Sequence, residues 1–104
     1  MCRLIAEGER LYLSRACIAC HAVAGTTARG AVGPSLTRFG ARPTVGAGAL
    51  PNTQENVERW IRNPRAVKAG ALMPGTREGA AGFPATNLTD QEVRAIAAYL
   101  LSLR

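Results

Sequence analysis

Three stretches of the chain repeat apolar residues at helical spacing, and the rest does not. Over residues 3–16, Leu4, Ile5, Leu11, Tyr12 and Leu13 recur at intervals near three and four, which predicts a helix. Gly8 interrupts that pattern at a cost of about 1 kcal/mol relative to Ala. It either lets another helix come close or is simply tolerated. Over residues 54–62, Val57, Trp60 and Ile61 stand at i, i+3 and i+4 and make one apolar face. Thr53 is placed to cap that helix and Asn63-Pro64 to end it. Thr89-Asp90-Gln91-Glu92 reads as a capping box, with acidic residues where the helix dipole favours them. Val93, Ile96, Ala97, Leu100, Leu101 and Leu103 then carry a helix to the end of the chain. There is no strand-like alternation and no internal repeat, so the fold class is all-α.

The intervening stretches are built from breakers. Gly25, Gly30, Gly33, Pro34, Gly40, Pro43, Gly46, Gly48 and Pro51 fall between His21 and Thr53. A second irregular run over residues 64–88 holds Gly70, Pro74, Gly75, Gly79, Gly82 and Pro84, with Met73 in its middle. A loop as long as the first is uncommon in a compact domain unless it serves a function. With 104 residues the chain makes one small domain, residues 1–104, and its core is thin. A bound apolar group would supply surface that the loops cannot make for themselves.

Charge narrows the field. Lys+Arg number 13 against 7 Asp+Glu, a formal +6, and Lys68 is the only lysine. The arginines are scattered and form no basic stripe, which argues against nucleic acid. A protein partner with an acidic docking face fits better, with charge steering the encounter. No stretch approaches the ~20 apolar residues of a membrane span, and no secretory h-region opens the chain.

The chemistry lies in Cys17-Ile18-Ala19-Cys20-His21, the attachment pattern of a c-type haem. Two thiols three positions apart can add to the two vinyl groups on one porphyrin edge. The histidine that follows is then held where a ring nitrogen reaches the iron. Half of a zinc site would need two more soft ligands. His21 is the only histidine, and the remaining cysteine, Cys2, sits at the N-terminus and is assigned no role. A thioredoxin-like pair would sit in a βαβ pattern, and none is visible. Haem c is attached outside the cytoplasm, so the missing export signal leaves two readings: a leader already removed, or a piece of a longer exported, membrane-anchored chain. The second is the expectation here.

A histidine-bound haem iron has one more axial position. Met1, Met73 and no protein ligand at all are the options, since lysine ligation by Lys68 would be unusual. A thioether prefers ferrous iron, so His/Met ligation raises the reduction potential. On spacing alone, a Met73 that merely fills a gap in the core stays open.

Nearly the whole chain resembles the class I cytochromes c. Gly8 and Tyr12 match the glycine and aromatic of that family's N-terminal helix, and Tyr99 and Leu100 match their partners on the C-terminal one. Gly33-Pro34-Ser35-Leu36 is similar to the Gly-Pro-x-Leu stretch after the haem motif. Asn63-Pro64 followed by Leu72-Met73-Pro74 is similar to the distal loop. The resemblance implies about three to five helices wrapped around one haem c bound through Cys17 and Cys20. It implies His21 and Met73 as iron ligands, the Pro34 carbonyl on the other ring nitrogen of His21, and Arg42 near a propionate. Core burial of Trp60 is compatible with haem contact. A narrower likeness runs through Gly33–Phe39, Leu50–Asn56 and Trp60–Lys68, which look like the cytochrome domain of subunit II in caa3-type cytochrome c oxidases. Two departures stand out: Asn52 replaces a tryptophan kept by mitochondrial cytochromes c, and the lysine-rich ring of mobile cytochromes is mostly absent.

The function expected from this is outer-sphere electron transfer on the extracytoplasmic, periplasmic face of the bacterial inner membrane, from a donor protein to the copper-bearing domain of an oxidase. A free periplasmic monohaem shuttle is the alternative. A haem peroxidase or gas sensor would need an open sixth site, and no second histidine exists to serve a distal His-Arg pair.

Overall fold

Gly8 decides how the chain closes on itself. A computed structural model describes residues 2–15, 17, 21–30, 33, 35–46, 48–80 and 82–104, the side chain of Cys2 excepted. Helix α1 spans Cys2–Ser14 and the last helix, α4, spans Asp90–Ser102. The two cross with Gly8 against the backbone of Ala95, where a Cβ would stand 2.5 Å from the Ala95 carbonyl carbon and 2.9 Å from Tyr99 Cβ. The glycine is therefore required by the crossing. One turn on, Tyr12 and Tyr99 pack with ring centroids 5.7 Å apart and planes tilted by 52°. Burial and the nearby Glu9 charge push the Tyr99 phenol above its ordinary range.

Between them lie helix α2 (Gln54–Arg62) and helix α3 (Pro64–Val67). Thr53 caps α2 by accepting the Asn56 backbone N–H at 3.2 Å. Val57 and Ile61 are buried against α4, joining Leu11, Tyr12, Val93, Ile96, Tyr99 and Leu100 in one core. Trp60, on the same face, is half-buried and packs against that core's edge. The capping box at α4 forms in full: Thr89 Oγ1 accepts from Glu92 N at 3.2 Å, and Thr89 N donates to the Glu92 carboxylate at 2.9 Å. That donation, helped by Arg15, holds the Glu92 carboxyl below its ordinary value against a modest opposing effect of burial.

The structure adds detail the sequence pattern does not carry. The first helix, expected over residues 3–16, ends at Ser14. Asn63-Pro64 ends α2 as expected but also starts α3, because the Asn63 side chain accepts Ala66 N and proline suits the first helical position. Within the first loop a 3₁₀ turn covers Phe39–Ala41, and strands β1 (Thr44–Val45) and β2 (Leu50–Pro51) pair antiparallel, Thr44 opposite Pro51. Two residues per strand are too few to leave an alternation. The 3₁₀ turn is pinned to the end of α4, where Gly40 N donates to Leu103 O at 2.6 Å. Among the described residues, no helix is long and apolar enough to cross a membrane.

Candidate functional site

The haem motif begins where α1 ends. His21 N donates to Cys17 O at 2.9 Å, a bond that joins the first and last residues of the motif. Tyr12 Oη donates to His21 O at 3.2 Å, tying the histidine backbone to the α1–α4 crossing. Both Cys17 and His21 are half-buried.

The glycine-rich loop is stapled beneath the imidazole. Leu36 N donates to Ala22 O at 2.8 Å, Val23 N to Ala28 O at 3.2 Å, and Ala24 N to Thr37 Oγ1 at 2.9 Å. This folding brings Gly33 onto the His21 ring. A Cβ at Gly33 would stand 2.7 Å from Nδ1 and 3.0 Å from Nε2, so the imidazole packs against bare backbone there. Sequence reasoning placed Gly33 in a motif without seeing that it forms the seat of the imidazole.

Arg42 leaves the 3₁₀ turn exposed, with its guanidinium donating to Ser35 O and lying 5.7 Å over the Phe39 ring. It thus reaches back to the loop that carries Gly33. Asn52 supports the same corner, its side-chain amide donating to Phe39 O at 2.9 Å and Arg42 O at 3.1 Å. Both amide hydrogens are committed, which leaves Asn52 no donor for a carboxylate. Trp60 faces this corner from α2, its ring edge 3.0 Å from where a Gly46 Cβ would stand.

On the other side, Met73 is half-buried while Leu72 beside it is 72% exposed. The chain after Met73 is held fast. Thr76 N donates to Arg62 O at 2.9 Å and Thr86 N to Gly75 O at 2.9 Å. Cys20 and Pro34 lie outside the described residues.

The donor set suits a c-type haem: two thiols and one imidazole in the motif, one thioether in a loop, and no further histidine. Gly33 against the His21 ring is an independent fit, since a side chain at that position would occupy the space the imidazole takes. Among the described residues no group of three or more His, Cys, Asp or Glu could hold a metal ion by itself.

Comparison with known proteins agrees with this chemistry. A family model described as Cytochrome c matches residues 5–104. Cytochrome c oxidase subunit 2 of Alkalihalophilus pseudofirmus is 39% identical over 98 residues, which cover 94% of this chain and 25% of that protein. The subunit 2 of Bacillus subtilis is 35% identical over 104 residues, covering 97% and 27%. The chain spans about a quarter of the length of the curated relatives it matches. The crystal structure of the c-type cytochrome SorU from Sinorhizobium meliloti superposes with a TM-score of 0.61 over 99% of this chain and 93% of that one. At 24% identity this is a likeness of fold.

Proposed function

The chain belongs to the cytochrome c family, and on that footing we propose that it carries single electrons through a haem c ligated by His21 and Met73. The haem supplies an iron that cycles between two oxidation states. The residues around it bind and orient. Cys17 and Cys20 would form the thioethers, and the bond from His21 N to Cys17 O ties the imidazole's backbone to the first of them. Gly33 seats the imidazole, and the Pro34 carbonyl would accept a hydrogen bond from its other ring nitrogen, fixing the tautomer and strengthening the donor. Arg42 would neutralise a propionate, Trp60 would close the apolar edge, and Met73 would be the second protein ligand of the iron. With His21 and Met73 both on the iron, the haem would transfer electrons rather than bind substrate. The observation that carries this reading is Gly33 packed bare against the ring of His21.

In the setting the relatives suggest, the domain accepts electrons from a donor protein and hands them to the copper-bearing domain of a haem-copper oxidase, on the extracytoplasmic side of the membrane. If both domains share one polypeptide, the second step is effectively intramolecular and needs little affinity. Met73→His tests the ligation. The protein should keep its haem and stay low-spin, while the potential falls and the weak red band of the ferric spectrum disappears, because imidazole lacks the thioether's preference for ferrous iron. An unchanged potential and band would remove Met73 from the iron.

A further inference from the structure

We propose that Gly75 and Thr76 are positioning residues for Met73, clamping its loop to the last carbonyl of α2; the inference rests on Met73 being the second iron ligand. Leu72 is exposed, as are Lys68, Ala69 and Gly70, so the approach to Met73 from the N-terminal side has little packing to hold it. The side after Met73 is different. Gly75 and Thr76 are buried, and Thr76, at 6% exposure, is the one buried polar residue among those described.

Every backbone polar group of this pair is engaged. Gly75 N donates to Glu78 O at 2.8 Å and Gly75 O accepts from Thr86 N at 2.9 Å. Thr76 N donates to Arg62 O at 2.9 Å, and Thr76 O accepts from Asn87 N at 3.1 Å. The Thr76 hydroxyl donates to the same Arg62 carbonyl at 3.4 Å. The loop is thus sewn to α2 on one flank and to the segment entering α4 on the other, two to three residues past Met73. Gly75 has an ordinary negative-φ backbone, so glycine is not needed for conformation. It is needed for space: a Cβ there would stand 2.5 Å from Arg62 O, a backbone atom that cannot rotate away. Arg62 is itself fixed, its guanidinium 3.1 Å from both the Glu58 and Asp90 carboxylates.

The consequence concerns a weak bond. A thioether competes with outside ligands through how often it is found in place, and that is set by the stiffness of the chain carrying it. Loosening the clamp should let an external anion capture the iron faster without removing the methionine.

The test uses the haem-loaded protein and compares Gly75→Ala, Thr76→Val and Thr76→Ser with wild type. Cyanide binding to the ferric form should be roughly tenfold faster in Gly75→Ala, which corresponds to about 1.4 kcal/mol, and the potential should fall. Thr76→Val should give roughly a threefold effect, and Thr76→Ser should restore the wild-type rate and potential. A Gly75→Ala protein with a lower melting temperature but unchanged cyanide rate and potential would overturn the proposal, leaving the pair a purely structural role. If Gly75→Ala fails to load haem, the valine–serine pair decides by the same readouts. A wild-type protein that lacks the ferric red band and takes cyanide at once would instead refute Met73 ligation, and the clamp with it.

Discussion

Replacing Gly8 by valine tests the contact that joins the two ends of the chain. Intrinsic helix propensity favours the change by a few tenths of a kcal/mol, because valine is a slightly better helix former than glycine. Sterics oppose it. The new Cβ would meet the Ala95 carbonyl and Tyr99 Cβ, at 2.5 Å from the carbonyl carbon and 2.9 Å from the latter. None of these atoms can swing aside, so the overpacking cost should sit at the upper end of the usual 1–3 kcal/mol. Parting the helices would also stretch the Tyr12–Tyr99 pair, worth about 0.5–1.5 kcal/mol beyond its buried area. A net loss of about 3 kcal/mol should lower the melting temperature by about 12–24 °C in a domain of this size. Gly8→Ala makes the same first contact but regains about 1 kcal/mol of propensity, so it should lose only about 1–2 kcal/mol. Thermal unfolding of the haem-loaded proteins, followed by far-ultraviolet circular dichroism, should rank glycine above alanine above valine. The ferric red band should be intact in all three below their transitions. Alanine matching or exceeding glycine would refute the reasoning, since propensity would then outweigh the crossing.

Two further outcomes follow from charge. Glu92 has its folded pKa lowered, chiefly by the Thr89 N–H, so its contribution is present above the ordinary value of 4.5 and is lost as the pH falls below it. Thr89→Ala, which keeps that N–H, should cost about 1 kcal/mol at neutral pH, whereas Glu92→Gln, which removes the titrating carboxylate, should flatten that part of the acid unfolding curve; a Glu92→Gln curve that merely shifts downward without changing shape would exclude Glu92 as its cause. Reduction of the domain by an acidic donor protein should slow steeply with added salt, because a formal +6 is screened over about 8 Å at 0.15 M. A flat salt profile in stopped-flow reduction would mean that docking is apolar.

The helices were legible because each writes its periodicity and its caps in side chains. Val57, Trp60 and Ile61 mark one face of α2, Thr53 and Thr89 do cap where their neighbours predict, and Gly8 does lie where the terminal helices meet. The small pieces were not legible. Strands of two residues are shorter than one full alternation, and the four residues of α3 complete barely one turn after the same Asn63-Pro64 that stops α2. The site divides in the same way. Cys17 and His21 announce themselves by spacing, whereas the roles of Gly33, Gly75 and Thr76 depend on which backbone atoms lie opposite them. Backbone-to-backbone bonds leave no residue signature. A glycine demanded by space looks the same in sequence as one demanded by a turn. Asn52 gave a partial signal: its departure from the mitochondrial tryptophan was visible, but its use as a brace between Phe39 and Arg42 was not.

The two segments that carry the proposed ligands share a single reference, the start of α4. Arg15, two residues before Cys17, meets Glu92 at 2.7 Å, and Arg62, whose carbonyl holds the loop of Met73, meets Asp90 at 3.1 Å. These ion pairs are partly exposed, with Asp90 largely in solvent, so each contributes at most about 1 kcal/mol. They cannot by themselves keep His21 and Met73 in register. The burial beneath them can. Val93 and Ile96 are fully enclosed, and α1 and α2 both pack on the helix that carries them. Buried apolar side chains of this size stabilise by about 1.5–3 kcal/mol each, which outweighs the pairs above them. The spacing between the two proposed ligands is therefore set by how α1 and α2 seat on α4. A thin-cored domain gains from that arrangement, because one helix anchors both halves of the site at once.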